Sequence, residues 1–198
     1  STTRTWGKAA MKLKFDPNQQ FQADAINAVV DLFDGQPQDA GNFITKLQQR
    51  DVAEGIKLLK LDEVGAVGNN LVLDKETVLQ NLKTVQNRNG LQVNEKLDGD
   101  ALNFSIEMET GTGKTYVYLR SIFELAKKYN FTKFIILVPS VAIKEGVDTS
   151  IRLMKDHFTE LYSIPFDSMV YSGKYSEEVQ AFATSTNVQI MTMTIDSV

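Results

Sequence analysis

The sequence predicts an α/β domain in which a parallel sheet is flanked by helices, preceded by a mainly helical N-terminal segment. Two observations carry this reading. After the polar turn at Asp98, Gly99 and Asp100, the texture changes from helical patterns in series to apolar strands alternating with amphipathic helices. Parallel strands need crossover connections, and those connections cover the faces of the sheet they build. The 198 residues, 42% hydrophobic and 23% charged, suffice for one well-buried core, so the chain is expected to fold rather than remain disordered.

Residues 18–33 place Phe21, Ala25, Ile26, Val29, Val30 and Phe33 at helical spacing, and Gly35 and Pro37 then stop the pattern. Residues 43–61 carry a second helical pattern through Ile44, Leu47, Val52, Ile56 and Leu59, weakened by Gly55, which predicts one broken helix or two short ones. Residues 70–73 are a short apolar run. Asp74 then suits the N-cap of a helix carrying Val78, Leu79, Leu82 and Val85 and ending at Asn89-Gly90. In the second half, strands are expected at 102–108, 133–138, 168–171 and 188–194, with helices at 114–128, 141–157 and 176–183. The chain thus divides into 1–10, which is either native or an expression scar ahead of a start at Met11, a helical segment at 11–100, and the first part of an α/β domain at 101–198.

The formal net charge of −4 argues against a surface that grips polyanions everywhere, so any nucleic-acid contact must be local. The absence of cysteine excludes disulfides and thiolate metal sites and fits a reducing cytoplasm; the single histidine closes most other metal options. No run approaches the roughly 18–20 apolar residues of a membrane span, and no signal peptide is visible, so the chain reads as cytoplasmic with no membrane partner.

The run Met108, Glu109, Thr110, Gly111, Thr112, Gly113, Lys114, Thr115 follows the apolar segment FSIEM and leads into the amphipathic helix beginning YVYLRSIFEL. Strand, glycine loop and helix are the context a phosphate loop (Walker A) requires. Glycines at 111 and 113 let the backbone turn its N–H groups inward toward a polyphosphate, and the helix that follows adds its positive end. Lys114 supplies a charge for the β and γ phosphates, and the Thr115 hydroxyl is placed to coordinate a magnesium ion bridging them. The plainer alternative is a glycine-rich turn with Lys114 merely solvated.

MxTGTGKT at 108–115 resembles motif I of superfamily 2 helicases, in which alanine or methionine commonly replaces the first glycine. Phe21-Gln22-Ala23-Asp24-Ala25-Ile26 looks like the aromatic-Gln element with which those proteins recognise adenine. The fuller run METGTGKTYVYLRSIFEL, followed by KFIILVPSVAIKEGV, is similar to the restriction subunit of type III restriction-modification enzymes, and MTIDS near the end continues the likeness. The resemblance implies a RecA-like, helicase-type fold that uses ATP and Mg2+, translocates on double-stranded DNA and works with a modification (methyltransferase) subunit. The endonuclease chemistry would sit in a distant domain.

The resemblance further implies that Gln22 reads adenine and that Glu109, Thr110, Gly111, Thr112, Gly113, Lys114 and Thr115 hold the phosphates, with Lys114 and Thr115 acting in catalysis. Ser140 and Lys144, at a position like motif Ia, and Thr194 with Thr192, at one like motif Ib, become candidates for DNA-backbone contacts. Each has a plainer reading: Gln22 as a solvated helix-face residue, Ser140 as an N-cap, and the threonines as strand formers. Phe15 either stacks on the base or staples a helix start. Arg152, Lys155 and Lys174 are interrupted by Asp148, Asp156 and Glu160 and read as a mixed solvated face, while His157, near the end of an expected helix, suits the helix dipole and shows no partner constellation that would make it catalytic.

The Walker B carboxylate that such an ATPase needs has one late candidate, Asp196, but Ser197 follows where Glu is expected. The resemblance therefore implies an incomplete motor domain, the N-terminal piece of a longer protein, with little turnover of its own. Two readings compete with the motor: a small-molecule phosphate-loop kinase, and a nucleotide-gated binding module that uses residues 43–89 as its partner surface.

Overall fold

The computed structural model describes residues 19–45, 65–99, 101–173 and 177–197. Phe15, Lys174 and the expected helical stretch beyond residue 45 therefore lie outside the described residues. Helix α1, Gln20–Val30, forms where the sequence places it, continues as a 3-10 turn at Asp31–Phe33, and stops ahead of Gly35, whose φ of +91° is open to glycine. Its buried stripe is Gln22, Ile26 and Val30, spaced by four. Helix α2, Lys75–Arg88, begins at the expected cap: the Asp74 side chain accepts the Thr77 backbone N–H at 2.8 Å, and that bond holds the Asp74 carboxyl below its usual range.

Residues 42–45 correct the helical expectation for the start of the second pattern. They form strand β1, Asn42–Thr45, antiparallel to β2, Ala66–Asn69, with Phe43 opposite Gly68. A short apolar run is ambiguous between helix and strand, and a ladder partner more than twenty residues away decided it. Gly68 is part of the reason, because a Cβ there would lie 2.9 Å from the Phe43 ring that covers it.

The second half builds a three-stranded parallel sheet from β3, Lys133–Val138, β4, Phe166–Val170, and β5, Val188–Thr194, in the order β3-β5-β4. Helices α3, Lys114–Tyr129, α4, Val141–Tyr162, and α5, Glu177–Thr184, alternate with the strands, and the arrangement is that of a RecA-like α/β domain. β4 starts two residues earlier than expected because Phe166 pairs opposite Val188 and fills the core. α4 continues past His157 to Tyr162 and ends at Ser163 in the left-handed conformation, φ +53°. Residues 102–108 are the second correction. Among the described residues they join no ladder, and an apolar segment becomes a strand only where a neighbour accepts its hydrogen bonds.

The core has two parts, and α3 is common to both. On one side Tyr116, Leu119, Ile122 and Phe123 pack with Val147, Ile151, Met154 and Phe158 of α4 and with Val138, Phe166, Val188 and Ile190 of the sheet. On the other side Val117, Leu125 and Tyr129 pack with Ile26 and Val30 of α1 and with Phe131. Phe123 anchors an aromatic group, 4.7 Å from Phe158, 5.3 Å from Tyr162 and 4.9 Å from Phe166 between ring centroids. Among the described residues no helix is long and apolar enough to cross a membrane.

The β1–β2 pair is seated on the base of the sheet by Asn69, whose Oδ1 accepts the N–H groups of Thr132 and Lys133 at 2.7 and 2.9 Å while Nδ2 donates to the Lys133 carbonyl at 2.7 Å. Gly41 lies against the end of α3 so closely that a Cβ would sit 1.7 Å from the Tyr129 carbonyl oxygen. Gly41→Ala is accordingly expected to destabilise the fold by about 2–3 kcal/mol, the range of an overpacked contact. Gly146, on the exposed face of α4 with nothing within 4 Å of an added Cβ, gives the opposite sign. Gly146→Ala is expected to stabilise by about 0.5–1 kcal/mol, and urea unfolding of the two variants beside the parent chain checks both.

Candidate functional site

The glycine loop opens α3. Gly111 and Gly113 both have positive φ, +83° and +85°, and Gly113 is the N-cap of the helix with its carbonyl accepting the Val117 N–H at 3.0 Å. A left-handed N-cap with no side chain leaves the first N–H groups of α3 without a side-chain acceptor. The first turn of α3 carries no acidic residue and its last turn carries Lys127 and Lys128, so the positive end of the helix is not neutralised by its own side chains. Glu109, Thr110, Gly111, Gly113 and Lys114 are exposed, while Thr112 and Thr115 are half-buried.

The loop is closed on itself. The Lys114 ammonium donates to the Glu109 carbonyl at 3.0 Å, and the Thr112 hydroxyl donates to the same oxygen at 2.6 Å. Two donors on one carbonyl mark the point where a ligand's oxygen could take over. Thr115 hydrogen-bonds with Tyr118, a contact that opposes the upward push burial exerts on that phenol.

Gln22 is brought directly to this loop. Its side chain is 8% exposed, and Nε2 donates to the Thr112 carbonyl at 2.9 Å. The solvated helix-face alternative is thereby overturned: the carboxamide lies under the loop, and a Cβ on Gly113 would meet Gln22 Nε2 at 2.6 Å. Beside this contact, α1, α2 and residues 104–109 line an open cleft of about 890 Å3 that includes Phe21, Ala25, Leu82, Val85, Phe104 and Thr112. Sequence patterns did not indicate it, because its walls come from three segments far apart in the chain.

Ser140 and Lys144 follow β3 at the carboxyl end of the sheet, the same end as Thr194, which pairs opposite Val138. Ser140 caps α4, its Oγ accepting the Ile143 N–H at 3.4 Å, and it is exposed. The Lys144 ammonium donates to the Tyr171 carbonyl at 3.2 Å, at the end of β4. Thr194 is 6% exposed with its hydroxyl 2.6 Å from that of Ser197, and Thr192 is buried. Asp196 lies exposed in the single turn Ile195–Ser197.

Arg152 pairs with Asp148 at 2.9 Å on an exposed face, as a mixed solvated surface requires. His157 lies in the last part of α4, which runs on to Tyr162, and its Nε2 lies 3.0 Å from the Tyr116 hydroxyl. The spacing of forty-one residues between the two gave no local signal.

A family profile described as "Type III restriction enzyme, res subunit" matches residues 72–198. The chain is 33% identical over 151 residues to the type III restriction-modification enzyme EcoPI Res subunit of Escherichia phage P1, covering 75% of this chain and 14% of that protein. It is 38% identical over 95 residues to the EcoP15I Res subunit of Escherichia coli, covering 46% and 10%. The StyLTI Res subunit of Salmonella typhimurium is 46% identical over 72 residues, covering 35% and 7%. This chain therefore spans 14% or less of the length of these relatives. With the profile covering more than half of the chain and the glycine loop and sheet inside the matched region, the chain belongs to the family of type III restriction enzyme Res subunits.

Proposed function

We propose that this chain is the nucleotide-binding part of a helicase-like ATPase in a type III restriction enzyme, working on double-stranded DNA together with a modification (methyltransferase) subunit. The observation that carries the reading is the loop itself: two left-handed glycines, an uncapped helix start and Lys114 converge beside a buried Gln22. The residues fit ATP. Its phosphate oxygens would replace the Glu109 carbonyl as acceptor of the Lys114 ammonium, and the first N–H groups of α3 would take the remaining charge. Gln22 would turn its carboxamide from Thr112 to the edge of adenine, which a group with one donor and one acceptor can match. Thr115 would ligate Mg2+, which supplies neutralisation of the developing phosphate charge when bound.

On the same reading, Ser140 and the opening N–H groups of α4 meet DNA phosphates without reading sequence, as a translocating motor requires. Lys144 adds charge behind them, and Thr194, buried and bonded to Ser197, supports the strand end.

ATP hydrolysis by the intact protein, measured with and without duplex DNA, tests the proposal. DNA is expected to stimulate turnover, and Lys114→Ala to lower it by about 100-fold or more, the scale of removing a group that stabilises transferring charge. Nucleotide binding with turnover indifferent to DNA would overturn the motor reading in favour of a gated module or a kinase. At the loop, Gly113→Ala is expected to cost about 1–2 kcal/mol of backbone strain and, by displacing Gln22, to weaken ATP binding more than Gly111→Ala, which has open space around it. Unfolding curves and nucleotide titrations of the two variants separate strain from displacement.

A further inference from the structure

A polar cluster joins the helix of the glycine loop to α4. Tyr116, on the first turn of α3, is 5% exposed; its hydroxyl lies 3.0 Å from His157 Nε2, and its ring stacks on Phe158 at 5.8 Å and 20°. Further along α3, Arg120 Nε donates to the Tyr162 hydroxyl at 3.1 Å, which donates to Glu124 at 2.6 Å. Arg120 also lies 3.8 Å from Glu124. Stacked rings resist separation of two helices but tolerate sliding and rotation, whereas a hydrogen bond 3.0 Å long selects one setting. The setting matters because Lys114, Thr115 and the first N–H groups of α3 belong to the same turn as Tyr116.

The loop cannot set that attitude for itself. Nothing lies within 4 Å of a Cβ built on Gly111, and most of the loop is exposed. The first turn is held from outside: by Val117 in the cluster with Ile26 and Val30 on the α1 side, and by Tyr116 on the α4 side.

We propose that His157 is a positioning residue for the nucleotide site: through Tyr116 it sets the first turn of α3, and with it Lys114 and Thr115, to receive the triphosphate. The proposal rests on the nucleotide reading of the loop given above. In the tautomer with its hydrogen on Nδ1, the imidazole accepts the Tyr116 hydroxyl hydrogen at Nε2; the imidazolium can only donate there, so protonation reverses the bond. Groups that act on His157 include Tyr116 and Arg120 of α3 and Glu160 of α4. Burial, and then the Arg120 charge, hold its pKa below the usual histidine range against the opposing pull of Glu160. The neutral form therefore persists below the ordinary histidine pKa, and the bond reverses as pH falls through the depressed value.

The test is a titration of the intact protein with methylanthraniloyl-ATP and Mg2+ from neutral to mildly acidic pH. Wild-type affinity is expected to change on acidification, because the imidazolium turns the Tyr116 hydroxyl from donor to acceptor and resets the contact. Tyr116→Phe keeps the ring and is expected to weaken binding about five-fold at neutral pH, the scale of one lost hydrogen bond, and to remove the pH response. His157→Gln, which retains an acceptor but cannot titrate, is expected to keep most of the affinity with a flat profile. A merely structural role would lower the Tm of the variants while leaving the pH profile of His157→Gln parallel to wild type, and that outcome overturns the proposal. Wild-type affinity in Tyr116→Phe overturns it as well, and if Tyr116→Phe does not fold, the His157→Gln profile decides. Binding that is lost in Lys114→Ala but unchanged in Tyr116→Phe sinks the positioning role alone; a folded wild type with no nucleotide affinity sinks the nucleotide reading and the positioning role together.

Discussion

The burial of α3 on two faces is the constraint from which the rest of the structure follows. An amphipathic helix at the surface hides one stripe; this one hides Leu119, Ile122, Phe123 and Ala126 against α4 and the sheet, and Val117, Leu125 and Tyr129 against α1 and Phe131. A helix clamped in this way cannot leave either core without opening it, and close packing makes such openings costly. The glycine loop is the N-terminal extension of that helix. Its position is therefore inherited from core packing, although the loop itself is exposed and makes few contacts.

Carboxamides attach the N-terminal elements to this frame. Gln36 donates to the Asn70 carbonyl and accepts the Val72 N–H, Asn81 donates to the carbonyls of Leu32 and Asp34, and Asn69 makes three bonds to the start of β3. Each side chain satisfies backbone groups that no helix or ladder reaches, which a buried or half-buried chain must do somehow. The consequence for the site is directional. With α1 packed on α3, and the turn that continues it bonded to α2 through Asn81, Gln22 donates to the Thr112 carbonyl.

The electrostatics follow the same economy. A chain of net charge −4 has no general affinity for polyanions, yet the start of α3 combines Lys114 with an uncapped, acid-free first turn. Positive potential is concentrated at one helix end, while Lys128 at the other end is drawn into pairs with Asp31 and Asp34. Local charge with bulk repulsion suits a site that must admit one anionic ligand and reject unselected ones.

Strands 133–138 and 188–194, α3, the Asp74 cap and the loop with its glycines were legible in the sequence, because periodicity, capping and turn chemistry are local properties of a few neighbouring residues. The strand character of Phe43 and Ile44, the lack of a ladder for 102–108 among the described residues and the extension of α4 to Tyr162 were not, since each depends on which partner lies alongside. The same division runs through the site. The sequence by itself determined which residues form the loop, two glycines followed by Lys114 and Thr115, and its place between an apolar run and a helix. Only the tertiary structure decided that Gln22 lies beneath that loop, that His157 reaches Tyr116, and that Thr194 is buried, because contacts across ninety or forty-one residues are chosen by packing and leave no mark on spacing.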